Sequence, residues 1–225
     1  MLLHELFTAV DEGVYDPHKF KAVFMAGAPG SGKSTIARII FNGSGLKSLN
    51  VDTFWQLYKS MEKEGDYDRY WELYSHREKN YLDGRLGLLI DGTARNPEKM
   101  AMIKTRLESL GYETAMIFVN TTLETSLARA DNRANIPNNK DHGRKVDAEF
   151  ITNAWEQVQQ GLGKLQSTFG HNFYIVDNNT TPQVSFVSKS MHRWLDAKVN
   201  NHIARQWIQD QLQLKNKTVI APGAQ

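Results

Sequence analysis

Gly27-Ala28-Pro29-Gly30-Ser31-Gly32-Lys33-Ser34-Thr35 decides how the rest of the chain is read. It fits the pattern G-x-x-x-x-G-K-[ST], in which backbone amides wrap an anion. Glycines at 27, 30 and 32 let the backbone take positive φ and approach a ligand with no Cβ in the way. Successive N–H groups then form a nest for anionic oxygens. A helix beginning near Lys33 adds its free amides and dipole. Lys33 carries the point charge expected at the β- and γ-phosphates, and Ser34 the hydroxyl expected on Mg²⁺. Gly27, Ala28, Pro29, Gly30, Ser31, Gly32, Lys33, Ser34 and Thr35 are therefore the expected nucleotide-binding residues.

The flanks agree with the loop. Lys21-Ala22-Val23-Phe24-Met25-Ala26 is a short apolar run suited to a buried parallel strand. Ile36, Ala37, Ile39, Ile40 and Phe41 follow and suit a buried helix face. Strand, glycine loop and helix form the context this motif requires, which a chance glycine-rich turn would lack. The ligands expected are ATP and Mg²⁺.

The chain has 225 residues, room for one sizeable α/β domain with appendages. Residues 1–225 read as a single domain, with a core over 21–196, a lid over about 129–146 and a C-terminal helical appendage over 197–225. Forty per cent hydrophobic residues suffice for a core, and a net charge of +2 argues against a general nucleic-acid polycation. Cysteine is absent, which excludes disulfides, thiol catalysis and cysteine–zinc sites and fits a cytoplasmic location. The N-terminus lacks a signal-peptide pattern, and no apolar run approaches a membrane span.

Four further strand-like runs end in polar residues suited to the ligand edge of a doubly wound sheet. Lys47-Ser48-Leu49-Asn50-Val51-Asp52 ends in a carboxylate. Asp52 would lie near the triphosphate if this strand neighboured the first, placed to take a proton from a substrate hydroxyl. It is equally placed to cap the helix that follows. Arg85 through Thr93 is an apolar run ending in Asp91-Gly92-Thr93. Asp91 is a candidate for the Mg²⁺ shell or a substrate hydroxyl, Thr93 offers a second hydroxyl, and the plainer reading is that Asp91 starts a turn. Tyr112–Asn120 is the fourth strand, and Asn172–Asn179 the fifth strand with a turn bordering the site of the base.

Helices fill the intervals. Residues 2–12 suit a short amphipathic helix. Residues 53–83 suit a helix interrupted near Gly65, carrying Tyr67, Tyr70, Trp71, Tyr74, Arg77, Glu78 and Tyr81. That stripe favours packing over ligand contact, although phenols and Arg77 also suit an acceptor pocket. Asn96 and Pro97 open a helix faced by Met100, Ile103, Leu107 and Leu110. Thr121-Thr122-Leu123-Glu124 fits a capping box and opens the helix that reaches Arg129 and Arg133. The basic, turn-rich segment to Lys145 is either a plain loop or a lid. As a lid, it would use Arg129, Arg133 and Arg144 to neutralise charge on the transferred group, a role worth about 10³–10⁵ in rate for one arginine. Asp147 caps a long helix bearing Phe150, Ile151, Ala154, Trp155, Val158, Leu162 and Leu165. Pro182 opens another with Val184, Val187, Met191, Trp194 and Leu195 inward. Residues 199–214 form a last helix, whose Trp207 and Ile208 either close the core or make a dimer.

Taken together, residues 21–180 resemble the small P-loop kinases of the zeta-toxin and polynucleotide-kinase group. The resemblance rests on the loop at 27–35, Asn50-Val51-Asp52, Leu88-Leu89-Ile90-Asp91-Gly92-Thr93 and the arginines of 129–144. At the level of fold, the chain also resembles P-loop kinases of tailed phages. The resemblance implies a three-layer α/β fold with a five-stranded parallel sheet, helices on both faces and a lid. It implies Asp52 as base, Asp91 and Thr93 at the acceptor, and Arg133 and Arg144 as phosphate-gripping residues, with Arg129 a further candidate. The expected activity is Mg²⁺-dependent transfer of the γ-phosphoryl group of ATP to a hydroxyl of a nucleotide, nucleotide-sugar or polynucleotide end. A nucleoside or nucleotide kinase using Arg69 or Arg77 is the near rival. An ATP-binding switch with little transfer is the distant one, and a protein partner such as an antitoxin fits the toxin branch.

Overall fold

The computed structural model describes residues 16–50, 67–135 and 146–219. Five strands, β1 (Lys21–Ala26), β2 (Lys47–Asn50), β3 (Leu88–Asp91), β4 (Glu113–Asn120) and β5 (Phe173–Asp177), form one sheet. All pairings are parallel, in the order β2-β3-β1-β4-β5. The glycine-loop strand is therefore central. Its neighbour on one side is β3, not β2: Met25 pairs with Asp91, and Asp91 pairs in turn with Asn50. The adjacency of the first two strands, the condition for placing Asp52 near the triphosphate, does not occur. β2 is an edge strand beside β3.

Successive residues of β1 feed opposite faces, as a two-residue strand period requires. Ala22, Phe24 and Ala26 enter one core with Met116, Phe118, Leu107, Val158 and Leu165. Val23 and Met25 enter the other with Ile117, Ile36, Ile40, Val187 and Met191. The first core is covered by α2 (Tyr67–Asp83), α3 (Pro97–Ser109) and α5 (Ala148–Phe169). The second is covered by α1 (Lys33–Phe41) and α6 (Ser185–Asp196). This double covering is the three-layer P-loop fold. It explains why β1 and β4 read as nearly continuous apolar runs.

Local signals set most helix ends. Asn96 Oδ1 accepts from the Lys99 N–H at 2.8 Å, with Pro97 in the first turn. Asp147 Oδ1 accepts from the Glu149 N–H at 2.9 Å and opens α5. α4 (Leu123–Asn135) is capped one residue later than the capping-box pattern places it. Thr122 Oγ1 accepts from the Thr125 N–H at 3.2 Å, while Thr121 is buried and shares a 2.7 Å hydrogen bond with Ser126 Oγ. α6 begins at Ser185, three residues after Pro182.

Two residues expected inward face out instead: Ile39 is 50% and Phe150 44% exposed. α1 meets the sheet through Ile36, Ile40 and Phe41, leaving Ile39 off that stripe. Phe150 is covered on one side by the Arg95 guanidinium, 4.9 Å from its ring centroid. The aromatic stripe of α2 serves packing at its C-terminal end. Tyr81 is buried, and Arg77 Nε donates to its hydroxyl at 2.5 Å. Tyr112 is buried below them and donates to the Leu86 carbonyl (3.0 Å), and burial holds its phenol well above the ordinary range.

The last helix, α7 (His202–Val219), lies on the core at the amino edge of the sheet. Trp207 meets Phe20 edge-on at 5.5 Å, and Ala204 is fully buried. Asn201 Nδ2 donates to the Gly111 carbonyl at 2.7 Å. The approach is anchored by Lys21, which is 1% exposed and ion-paired to Glu113 at 2.6 Å, with the Trp194 ring 4.6 Å from its ammonium. These contacts face the core, on the side of the molecule opposite the glycine loop.

Candidate active site

The site forms where β1, β3 and β4 deliver their carboxyl ends together. The loop after β1 takes left-handed or related positive φ at Gly27 (142°), Gly30 (81°) and Gly32 (87°). The crowding explains the glycines as much as the dihedrals do. A Cβ on Gly27 would lie 2.5 Å from the Val119 carbonyl oxygen, and one on Gly30 would collide with the Ser126 carbonyl. The loop is thus pressed against the end of β4 and the first turn of α4. On its other flank the Gly27 N–H donates to the Thr93 carbonyl (3.3 Å), and the Gly92 N–H to the Met25 carbonyl (3.3 Å). Asp91, Gly92 and Thr93 therefore border the loop directly, with Asp91 and Thr93 half-buried. Ala94 just beyond sits at φ 57°, an uncommon conformation for alanine that turns the chain away from β3.

The loop ends in a helix built to receive an anion. α1 opens at Lys33 with Gly32 as N-cap, no side-chain cap bond and no acid in its first turn. Its leading amides and dipole are left for a ligand. Burial of Ile36 and Ile40, each worth about 1.5–3 kcal/mol, seats this helix rigidly under the loop. Lys33 Nζ donates to the carbonyls of Gly27 (2.8 Å) and Ala28 (3.1 Å), folding its side chain across the loop. Pro29 and Gly30 are half-buried, Ser31 is fully buried, and Ser34 and Thr35 are exposed in the first turn of α1.

The structure brings Arg129 to this place. Arg129 is half-buried on α4, and its Nη1 is buried with no hydrogen-bond partner. That nitrogen lies 3.9 Å from the position a Gly32 Cβ would take. A buried guanidinium N–H facing the start of an uncapped helix suits an anionic oxygen. Arg133 follows one turn later on the same helix and is also half-buried. Asp52 and Arg144 lie outside the described residues, as do residues 2–12 and most of the segment expected to form a lid. Arg77 Nε donates to the Tyr81 hydroxyl, and its guanidinium lies over the Tyr81 ring.

Sequence reading missed several contributors. Ser126 supplies the wall behind Gly30, and Asn178 donates from Nδ2 to the Ser31 carbonyl at 2.7 Å. Trp155 Nε1 donates to the Thr121 carbonyl at 2.7 Å, tying α5 to the end of β4. Arg95 stands two residues after Thr93, stacked on Phe150. Only the Asp177-Asn178-Asn179 turn at the expected carboxyl edge hinted at any of these.

The donor set fits the expected ligands. Glycine crowding, bare amides and two cationic side chains match a polyphosphate. Ser34 and Asp91 are oxygen donors of the kind a hard, partly hydrated cation accepts. Among the described residues, no three His, Cys, Asp or Glu side chains cluster as a metal site, so a cation here would draw further ligands from phosphate and water.

Fold and site together define a P-loop kinase, an enzyme that uses ATP as phosphoryl donor. The chain belongs to the zeta toxin family, whose model matches residues 8–185. Solved structures agree on the fold. One is from the PezAT chromosomal toxin–antitoxin system of Streptococcus pneumoniae, at 18% identity and a TM-score of 0.50 over 91% of this chain and 87% of that one. A proposed kinase from Chloroflexus aurantiacus aligns at 12% identity and a TM-score of 0.53, over 77% of this chain and 97% of its own. A chain of the Pnkp1/Rnl/Hen1 RNA repair complex aligns at 22% identity and a TM-score of 0.50, over 68% of this chain and 48% of that chain. No curated protein is a significant match. No described helix is long and apolar enough to cross a membrane.

Proposed function

We propose that the protein transfers the γ-phosphoryl group of ATP, with Mg²⁺, to a hydroxyl of a nucleotide, nucleotide-sugar or polynucleotide end. The observation that carries this reading is the convergence of the glycine cradle, the uncapped start of α1 and Arg129 Nη1 on one point, with Asp91 and Thr93 alongside. Backbone amides of residues 27–35 and Lys33 bind the phosphates. Arg129 and Arg133, with Arg144, balance the charge that gathers on the transferring group. Ser34 and Asp91 would hold Mg²⁺, which would supply positive charge to offset that of the phosphates. Asp52 takes the proton from the acceptor hydroxyl, and Asp91 and Thr93 orient that acceptor. A protein inhibitor is a natural partner for this family reading, given the toxin–antitoxin relative.

The test is transfer from labelled ATP with Mg²⁺ to a pooled panel of nucleosides, nucleotides, nucleotide-sugars and 5′-hydroxyl oligonucleotides. The expected result is one labelled acceptor class. Its formation should fall by about 10²–10³-fold or more in Lys33→Ala, the range for loss of one pre-aligned donor to developing negative charge. ATP binding without any labelled acceptor would refute the proposed acceptor classes. Equal transfer by Lys33→Ala would refute the site.

A further inference from the structure

The Asp177-Asn178-Asn179 turn touches both halves of the candidate site, yet none of its contacts is needed to define that site. Asn178 is 6% exposed and its Nδ2 donates to the Ser31 carbonyl at 2.7 Å. The same amide packs on Gly32, where a Cβ would collide with it. The Asn178 N–H is itself held by the Asn120 carbonyl (2.9 Å) at the end of β4. One residue on, Asn179 Oδ1 accepts from the Thr122 N–H at 2.7 Å, at the cap of α4. Asp177 Oδ1 accepts from the Asn179 N–H (2.9 Å) and Nδ2 (2.8 Å), which holds that side chain toward α4.

The bond to Ser31 has a directional consequence. In a trans peptide the C=O and the following N–H point opposite ways. A donor fixed on the Ser31 carbonyl therefore fixes the heading of the Gly32 N–H on the far side of the same peptide. It also holds a carbonyl dipole that would otherwise be free to turn toward an incoming phosphate and repel it.

We infer that the Asp177–Asn179 turn is a strut that sets the phosphate loop against the arginine-bearing helix α4. Asn178 is a positioning residue that acts through Ser31 and Gly32. Asn179 is a positioning residue that acts through the first turn of α4 and so through Arg129. This deepens the proposed function and rests on its assignment of the loop and Arg129 to the triphosphate.

The test is equilibrium binding of a fluorescent, non-hydrolysable ATP analogue with Mg²⁺ to the full chain. At position 178 the expected order of affinity is wild type, then Asn178→Ala, then Asn178→Asp. Asn178→Ala should lose about 5–10-fold, the loss of one buried hydrogen bond. Asn178→Asp should lose more, because it keeps the size but turns an acceptor toward the Ser31 carbonyl. A residue that merely fills space would show Asn178→Asp nearer wild type than Asn178→Ala, and that order overturns the inference. If Asn178→Asp fails to fold in a thermal melt, Asn178→Leu makes the same distinction: affinity at wild-type level overturns the strut. Asn179→Ala should lose about 3-fold, and the loss should vanish in an Arg129→Ala background, since residues acting through one another are not additive. Full additivity overturns the link through α4. Lys33→Ala separates the two levels of the argument. Wild-type affinity in Lys33→Ala sinks the underlying assignment, whereas a loss there without the order at 178 sinks only the strut.

Discussion

Asp52→Asn is expected to lower phosphoryl transfer by about 10²–10⁴-fold, the range for removal of a general base. Affinity for ATP should change by less than about 3-fold, because the amide keeps the size of the carboxylate and the phosphate ligands are untouched. Asparagine cannot accept the acceptor's proton, so the loss should appear in kcat. β2 ends at Asn50, directly opposite Asp91 in the β2–β3 register, so the chain leaves the sheet on the loop's side two residues before Asp52. Turnover with labelled ATP, alongside calorimetric binding, decides the matter. Unchanged turnover would remove Asp52 as the base, and a parallel loss of affinity would make it a ligand instead.

Gly30→Ala is expected to weaken ATP binding by about 10²-fold or more. Two separable costs add. Alanine at φ 81° carries left-handed strain of about 1–2 kcal/mol. Its Cβ would also meet the Ser126 carbonyl of α4 at a distance no real contact tolerates. Backbone faces backbone there, so no side chain can swing aside, and the loop itself has to move. At 1.4 kcal/mol per tenfold, strain and displacement of about 3 kcal/mol reach a hundredfold. Gly43→Ala is the control. Gly43 has φ 77°, and a Cβ added there would meet nothing within 4 Å, so the substitution carries the strain without the collision. Gly43→Ala should lower thermal stability while leaving nucleotide affinity near wild type. Equal affinity losses in both variants would show that strain alone, and not the fit against α4, governs the loop.

Much of the enzyme was legible in local sequence. Gly27–Thr35 carries its own geometry, since glycines, a helix start and a lysine act within nine consecutive residues. The strands of the sheet were readable because central parallel strands are apolar on both faces and end in polar residues at the ligand edge. Caps such as Asn96 and Asp147 were readable because they bond two or three residues away. Helix faces were less so. Ile39 and Phe150 are apolar and near the right spacing, but only the position of the neighbouring strands decides which side of a helix is covered.

By itself, then, the sequence determined that an anion-binding loop joins a buried strand to a helix, because every part of that device lies within one short stretch. Tertiary structure decided the rest. Placing β3 between β1 and β2 set Asp91, and not the end of β2, beside the loop. Folding α4 against Gly30 brought Arg129 to Gly32 across about a hundred residues of chain, and the β5 turn brought Asn178 to Ser31 across 147. Such pairings leave no local pattern. They follow from which apolar faces bury one another, and that is settled only when the whole sheet has formed.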